Sequence, residues 1–97
     1  MIVVVATCEN VTEAGAKLLR TGYDFLKKNY PDTRLEWLTT MSGKQGSHLA
    51  VWWHASLAAK EAYDAKLNAD PRWLKMFKDT GPGPFWTQRD DYFNVVE

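Results

Sequence analysis

The chain has one cysteine, two histidines and no surplus charge of either sign, and each shortage removes a class of protein. A single thiol, Cys8, can neither close an internal disulfide nor supply a multi-cysteine zinc site. With no histidine or cation beside it in sequence to lower its pKa, it reads as a small buried residue of a strand. Twelve basic residues balance twelve acidic ones, so the electrostatic footprint of a nucleic-acid binder or of a protein docking on anionic membranes is missing. No apolar run approaches the ~20 residues that cross a bilayer, and no low-complexity tract or internal linker interrupts the chain. MIVVVATCEN has neither the basic flank nor the length of a signal core, so cytoplasmic placement is expected. Aromatics, in contrast, are abundant, with five Trp among 97 residues. Large rings need large surfaces to bury against, and a chain this short makes one domain, residues 1–97, with one modest core.

The periodicity then lays out the elements. Residues 2–8 are almost wholly apolar and β-branched, the pattern of a central strand buried on both faces. Asn10 and Glu13 have capping-box spacing, and Leu18, Gly22, Phe25, Leu26 and Tyr30 recur at helical intervals until Pro31, opposite a charged face of Lys17, Arg20, Asp24, Lys27 and Lys28. TRLEWLTTM alternates as a half-buried strand through Leu35, Trp37, Thr39 and Met41. SGKQGS, residues 42–47, reads as a hairpin loop leading into the strand HLAVWWHA. Ser56 caps a second helix carrying Ala59, Ala62, Tyr63 and Leu67 on one face. Asp70-Pro71 interrupts it and restarts a short helix that buries Trp73, Leu74 and Phe77. GPGP is a turn that releases a last extended segment holding Phe85, Trp86, Tyr92 and Phe93.

Strand, helix, strand, then strand, helix, strand is the split βαβ order. It predicts an α+β, ferredoxin-like βαββαβ sandwich, with a four-stranded antiparallel sheet and its helices on one face. Adjacent Trp52 and Trp53 must then point to opposite faces. The expected assignment places Trp53, Leu49 and Val51 under the helices, and Trp52, Ala50 and His54 on the open face. An open face that apolar is too large a patch for a stable monomer. A second copy of the chain is therefore expected to cover it, as a homodimer through the sheet face.

The element order and the run SHLAVWWHASLAAKEAYDAKLNADPRWLKMF, above all the serine-led helix followed by DPRW, resemble the dimeric α/β-barrel superfamily, close to its NIPSNAP-like and antibiotic-biosynthesis-monooxygenase-type domains. The order covers nearly the whole chain, and the sharp part spans residues 46–77. The resemblance implies two ferredoxin-like protomers joining their sheets, with ligands held between sheet and helices or inside the barrel. It also implies a wide range of activities: cofactor-independent oxidation of aromatic polyketides, haem degradation, and small isomerase, dismutase or muconolactone-type reactions. Fold carries over in such a superfamily and activity does not. The haem-degrading pattern wants an asparagine at the end of the first strand, a tryptophan in the second helix and a histidine near that helix's end. Asn10 and Trp73 stand for the first two, but no histidine lies in the second helix or beyond. No cofactor is expected.

The residues themselves leave pairs of readings open. His48 and His54 are six strand positions apart, roughly 20 Å at ~3.3 Å per residue, and neither has a partner at metal-ligand spacing, so no metal is expected. His54 either hydrogen-bonds a loop or lines a cleft as acid, base or ligand donor. Either Arg89 is an anion clamp, with Asp90, Asp91 or Tyr92 as a proton-transfer group facing the same cavity as Trp52, or these residues make cross-strand ion pairs and dimer contacts on an edge or exchanged strand. Trp37, Trp52, Trp86 and Tyr92 form an aromatic wall that is a ligand pocket, a dimer core or both. An RNA-binding domain of this topology would need exposed aromatics within basic motifs on its central strands, and residues 2–8 have none. An acylphosphatase-like enzyme would need an anion-cradling loop with arginine where this chain has CENVTE. Two functions remain. One is a small-molecule-binding, cofactor-independent monooxygenase-like enzyme acting on an apolar or aromatic compound. The other is a non-catalytic homodimeric binding or interaction protein.

Overall fold

The computed structural model describes residues 1–41 and 46–96. Four strands and three helices follow in the order β1 (Ile2–Glu9), α1 (Glu13–Asn29), β2 (Arg34–Thr39), β3 (His48–His54), α2 (Leu57–Asn68), α3 (Pro71–Thr80) and β4 (Thr87–Asn94). The sheet is antiparallel throughout with strand order β2-β3-β1-β4. This is the ferredoxin-like α+β architecture, with the β-branched first strand in the interior of the sheet and β2 and β4 at its edges. Part of the expected hairpin loop, residues 42–45, lies outside the described residues. No described helix is long and apolar enough to cross a membrane.

Local chemistry sets the helix ends. The Thr12 hydroxyl, rather than Asn10, caps α1 by accepting from the Gly15 amide at 3.0 Å, while Asn10 takes a left-handed backbone with φ 54° just beyond β1. Glu13 in the first turn and Lys27 and Lys28 in the last complement the helix dipole. Ser56 caps α2 and Asp70 caps α3, and Pro71 occupies the first turn that follows.

Asp70 does more than cap. Its carboxylate accepts from the Tyr30 hydroxyl at 2.7 Å and from the Arg72 guanidinium at 2.9 and 3.1 Å, and Arg72 reaches on to the Asn29 side chain at 3.0 Å. The Arg72 fork and the Tyr30 hydroxyl hold the Asp70 carboxyl well below the usual carboxylate range. The end of α1 is thereby fastened to the α2–α3 junction, which fixes where α3 lies above the sheet.

The two tryptophans of β3 face the opposite way from the sequence expectation. In the register Val4 pairs Trp52 and Leu35 pairs Trp52, which puts Trp52 on the face of Val4, Ala6 and Cys8, all buried beneath the helices. Trp53, Leu49 and Val51 share the open face with Val3 and Val5. The sequence is apolar at both parities, and each indole finds a partner on its own face. The Trp52 indole N–H donates to the Tyr63 hydroxyl of α2 at 3.2 Å, whereas Trp53 lies under the Arg34 guanidinium at 3.8 Å.

The start of α1 is pinned to the segment before β4, since the Thr12 amide and hydroxyl both donate to the Phe85 carbonyl, at 2.9 and 3.2 Å. A Cβ at Gly15 would lie 2.4 Å from that same oxygen, whereas one at Gly22 would meet the Trp73 ring at an ordinary 3.7 Å. Gly15→Ala is therefore expected to destabilise by about 1–3 kcal/mol. Gly22→Ala is expected to stabilise by about 0.5–1 kcal/mol through helix propensity. Urea denaturation of the two variants checks both signs.

Candidate functional site

Three small residues open a space inside the sandwich. Ala6 and Ala50 are direct cross-strand partners on the helix-facing side of the sheet, and Gly22 lines the same cavity from α1. The gap is a cavity of about 170 Å³. Its floor continues into Cys8, Leu35, Trp37 and Trp52, and its roof is built from Leu18, Tyr23 and Leu26 of α1 with Trp73 and Phe77 of α3. Trp86 and Gln88, at the entry to β4, close one side.

The walls are held in place by their polar edges. Trp37 donates to His48 Nδ1 at 3.1 Å, packs against Tyr23 and lies beneath the Arg20 guanidinium at 4.6 Å. Trp52 is fixed by Tyr63, whose hydroxyl burial pushes up to about 12 and so keeps protonated. Trp73 stacks edge-on with Phe77 and against Phe25, above the sheet where the Asp70 fastening leaves it.

Trp37, Trp52 and Trp86 line this cavity together, and Tyr92 does not. Tyr92 shares the helix-facing side of the sheet, opposite Val4, but stands half exposed with the Lys60 ammonium 5.0 Å from its ring. His54 also shares that side, beyond the cavity. It is buried against the Tyr63 ring at 5.2 Å, and burial lowers its pKa, with Asp64 opposing and Lys60 adding to the shift. Arg89 is paired opposite Thr7 on the other face of the sheet and ion-pairs with Asp91 at 2.9 Å. Neither His54 nor Arg89 lines the cavity. Sequence reasoning gave no site role to the Ala6, Ala50 and Gly22 gap or to Cys8, Tyr23 and Gln88. A signal was present in the alanine that breaks each of two apolar strands, Ala6 and Ala50.

The described lining includes no carboxylate, imidazole or amine. The Cys8 thiol is pushed up to about 11, by burial first and by the Asp90 carboxylate second, and stays neutral. Such a space solvates carbon and aromatic faces well and ions badly.

No family model matches the chain and no curated protein matches it. Solved structures do. An uncharacterized NIPSNAP domain protein from Burkholderia xenovorans superposes with a TM-score of 0.76 at 21% identity, covering 99% of this chain and 95% of that one. A proposed antibiotic biosynthesis monooxygenase from Caulobacter crescentus superposes with a TM-score of 0.68 at 19% identity, covering 99% and 90%. The fold is that of NIPSNAP domains and antibiotic biosynthesis monooxygenases. Within this NIPSNAP-like fold, a variant of MhuD that holds two manganese protoporphyrin IX molecules per active site also superposes, with a TM-score of 0.68 at 18% identity, covering 100% and 96%. The residues of the present cavity do not fit a porphyrin. The space is close to that of a cavity filled by benzene, no histidine is among its described lining, and its one thiol is held protonated.

Burial of neutral His54 has a consequence for stability. Its folded pKa is depressed, so at mildly acidic pH the unfolded chain, titrating near the ordinary ~6.5, binds the proton first. Its contribution is fully present above that value and is lost as the pH falls toward the folded pKa. The melting temperature is expected to drop between about pH 7.5 and 5.5, and His54→Phe is expected to flatten the drop.

Proposed function

We propose that this chain is a homodimeric small-molecule-binding protein whose ligand, an apolar or aromatic compound, occupies the cavity between sheet and helices. The carrying observation is that cavity: about 170 Å³ of space walled by aromatic rings, with no charged side chain in its described lining. An apolar site of about 150 Å³ admits benzene, so one aromatic ring fits here. The likeness in fold to NIPSNAP domains and to a proposed monooxygenase supports small-molecule binding in general and no particular reaction. A monooxygenase-like activity on this site would run without a charged acid or base of the cavity itself, because His54 and Arg89 stand outside it.

The homodimer rests on the other side of the sheet. Val3, Val5, Leu49 and Trp53 are half-buried there, beside the exposed Leu38 and Phe93. An apolar centre of this kind, with Arg34, Glu36, Arg89 and Asp91 on the edge strands around it, asks for a cover, and a second sheet is the cover that matches it. The corrected facing of β3 changes the residues at this interface, to Trp53 in place of Trp52, and leaves the reasoning intact. Cytoplasmic placement goes with the reading.

Toluene is expected to raise the melting temperature in a concentration-dependent way, by mass action on the folded state. Ala50→Leu, which fills the cavity floor, is expected to abolish the effect, and a toluene-independent melting temperature in the unmodified protein would count against the pocket. Sedimentation in dilute buffer is expected to give twice the 11.1 kDa chain mass. Val3→Glu, placing a charge between Trp53 and Phe93, is expected to shift that mass toward the monomer.

A further inference from the structure

Gln88 lines the cavity with its amide held from both ends. Its Oε1 accepts from the Trp86 indole N–H at 2.9 Å, and its Nε2 donates to Asp90 Oδ1 at 2.8 Å. An indole N–H can only donate and an ionised carboxylate can only accept, so the amide cannot turn over between them. A side-chain amide offers two N–H donors and an oxygen with two lone pairs. Among the described residues one of each is engaged, which leaves one N–H and one lone pair for a ligand. Gln88 is exposed as well as cavity-lining and stands opposite Cys8 in the β1–β4 register, so it forms a polar point on the rim of an otherwise carbon-walled space.

We infer that Gln88 sets the specificity of the cavity, which takes a neutral aromatic ring bearing a hydroxyl group and discriminates against the same ring bearing a carboxylate. The inference rests on the reading of the cavity as an aromatic-binding site and adds which aromatic compounds it prefers. A hydroxyl is both donor and acceptor, so it can take the free Gln88 N–H and return a proton to the free lone pair. A hydrocarbon of the same size uses neither. A carboxylate has no proton to return, and it brings a second negative charge to within a side chain of Asp90. The field of Asp90 reaches into this part of the cavity, because it contributes, after burial, to the raised pKa of the Cys8 thiol.

Three probes of one shape separate the possibilities: toluene, p-cresol and 4-methylbenzoate, titrated at neutral pH and low ionic strength with the tryptophan indole and Gln88 amide signals followed by NMR. The p-cresol is expected to bind about 3- to 10-fold more tightly than toluene, the worth of one net hydrogen bond, and 4-methylbenzoate more weakly than either. Gln88→Leu is expected to remove the difference between the two, so that p-cresol and toluene bind with equal affinity. Asp90→Asn is expected to lift 4-methylbenzoate and leave p-cresol ahead of toluene. Both positions lie on an exposed edge strand, and the indole spectrum reports in the same titration that each variant is folded. Equal affinity for p-cresol and toluene, or a p-cresol advantage that survives Gln88→Leu, overturns the inference while the aromatic pocket stands. Failure of both toluene and p-cresol to bind overturns the pocket and the inference together.

Discussion

Successive side chains of a β-strand leave it on opposite sides, and in β3 that rule is applied to two tryptophans in a row. Trp52 and Trp53 cannot share a face, so each face of the sheet receives one indole that has to be accommodated. On the helix side the indole N–H is met by the Tyr63 hydroxyl at 3.2 Å. On the open side the Trp53 ring lies beneath the Arg34 guanidinium at 3.8 Å and in a row with Val3. One face thus becomes the wall of a cavity and the other a surface that a second sheet would suit. The division of labour across the sheet follows from this single register.

The cavity exists because its floor is made of small residues and its roof cannot fall in. Ala6 and Ala50 leave the gap at the centre of the sheet, and Gly22 extends it into α1. The roof stays up because Asp70 ties three things at once: the first turn of α3, the Arg72 guanidinium and the Tyr30 hydroxyl at the end of α1. A carboxylate accepting four charge-assisted or capping bonds ties the α2–α3 break to the end of α1. Trp73 and Phe77, carried on α3, are placed over the gap as a consequence. The chemistry of the resulting space is that of an aromatic-walled box with polar atoms at its edges.

Much of this fold is legible in the sequence. The β-branched run of residues 2–8, the helical spacing from Leu18 to Leu26, the Ser56 cap and the Asp70-Pro71 restart all describe elements that the structure contains. What the sequence leaves undetermined is parity. Where both alternating sets of a strand are apolar, as in VVVA and LAVWW, nothing local says which set the helices cover. In the structure Trp52 lies on the helix side, where its indole N–H meets the Tyr63 hydroxyl eleven residues on in the chain. The site is legible in the same measure. Tryptophan content pointed to an aromatic wall, and Trp37, Trp52 and Trp86 do line one cavity. The charged and titratable residues gave no such guide. His54 and Arg89 are the residue types that carry chemistry, but burial behind Tyr63 and the parity of β4 put them elsewhere.

The account makes Trp52 a reporter of the cavity and Trp53 a reporter of the sheet face. Indole NMR signals assigned with Trp52→Phe and Trp53→Phe variants test this directly, under toluene titration and then under dilution through dimer dissociation. The account predicts that toluene moves the Trp52 signal and not that of Trp53, and that dilution moves Trp53 and not Trp52. A Trp53 signal that follows toluene, or a Trp52 signal that follows dilution, would contradict it.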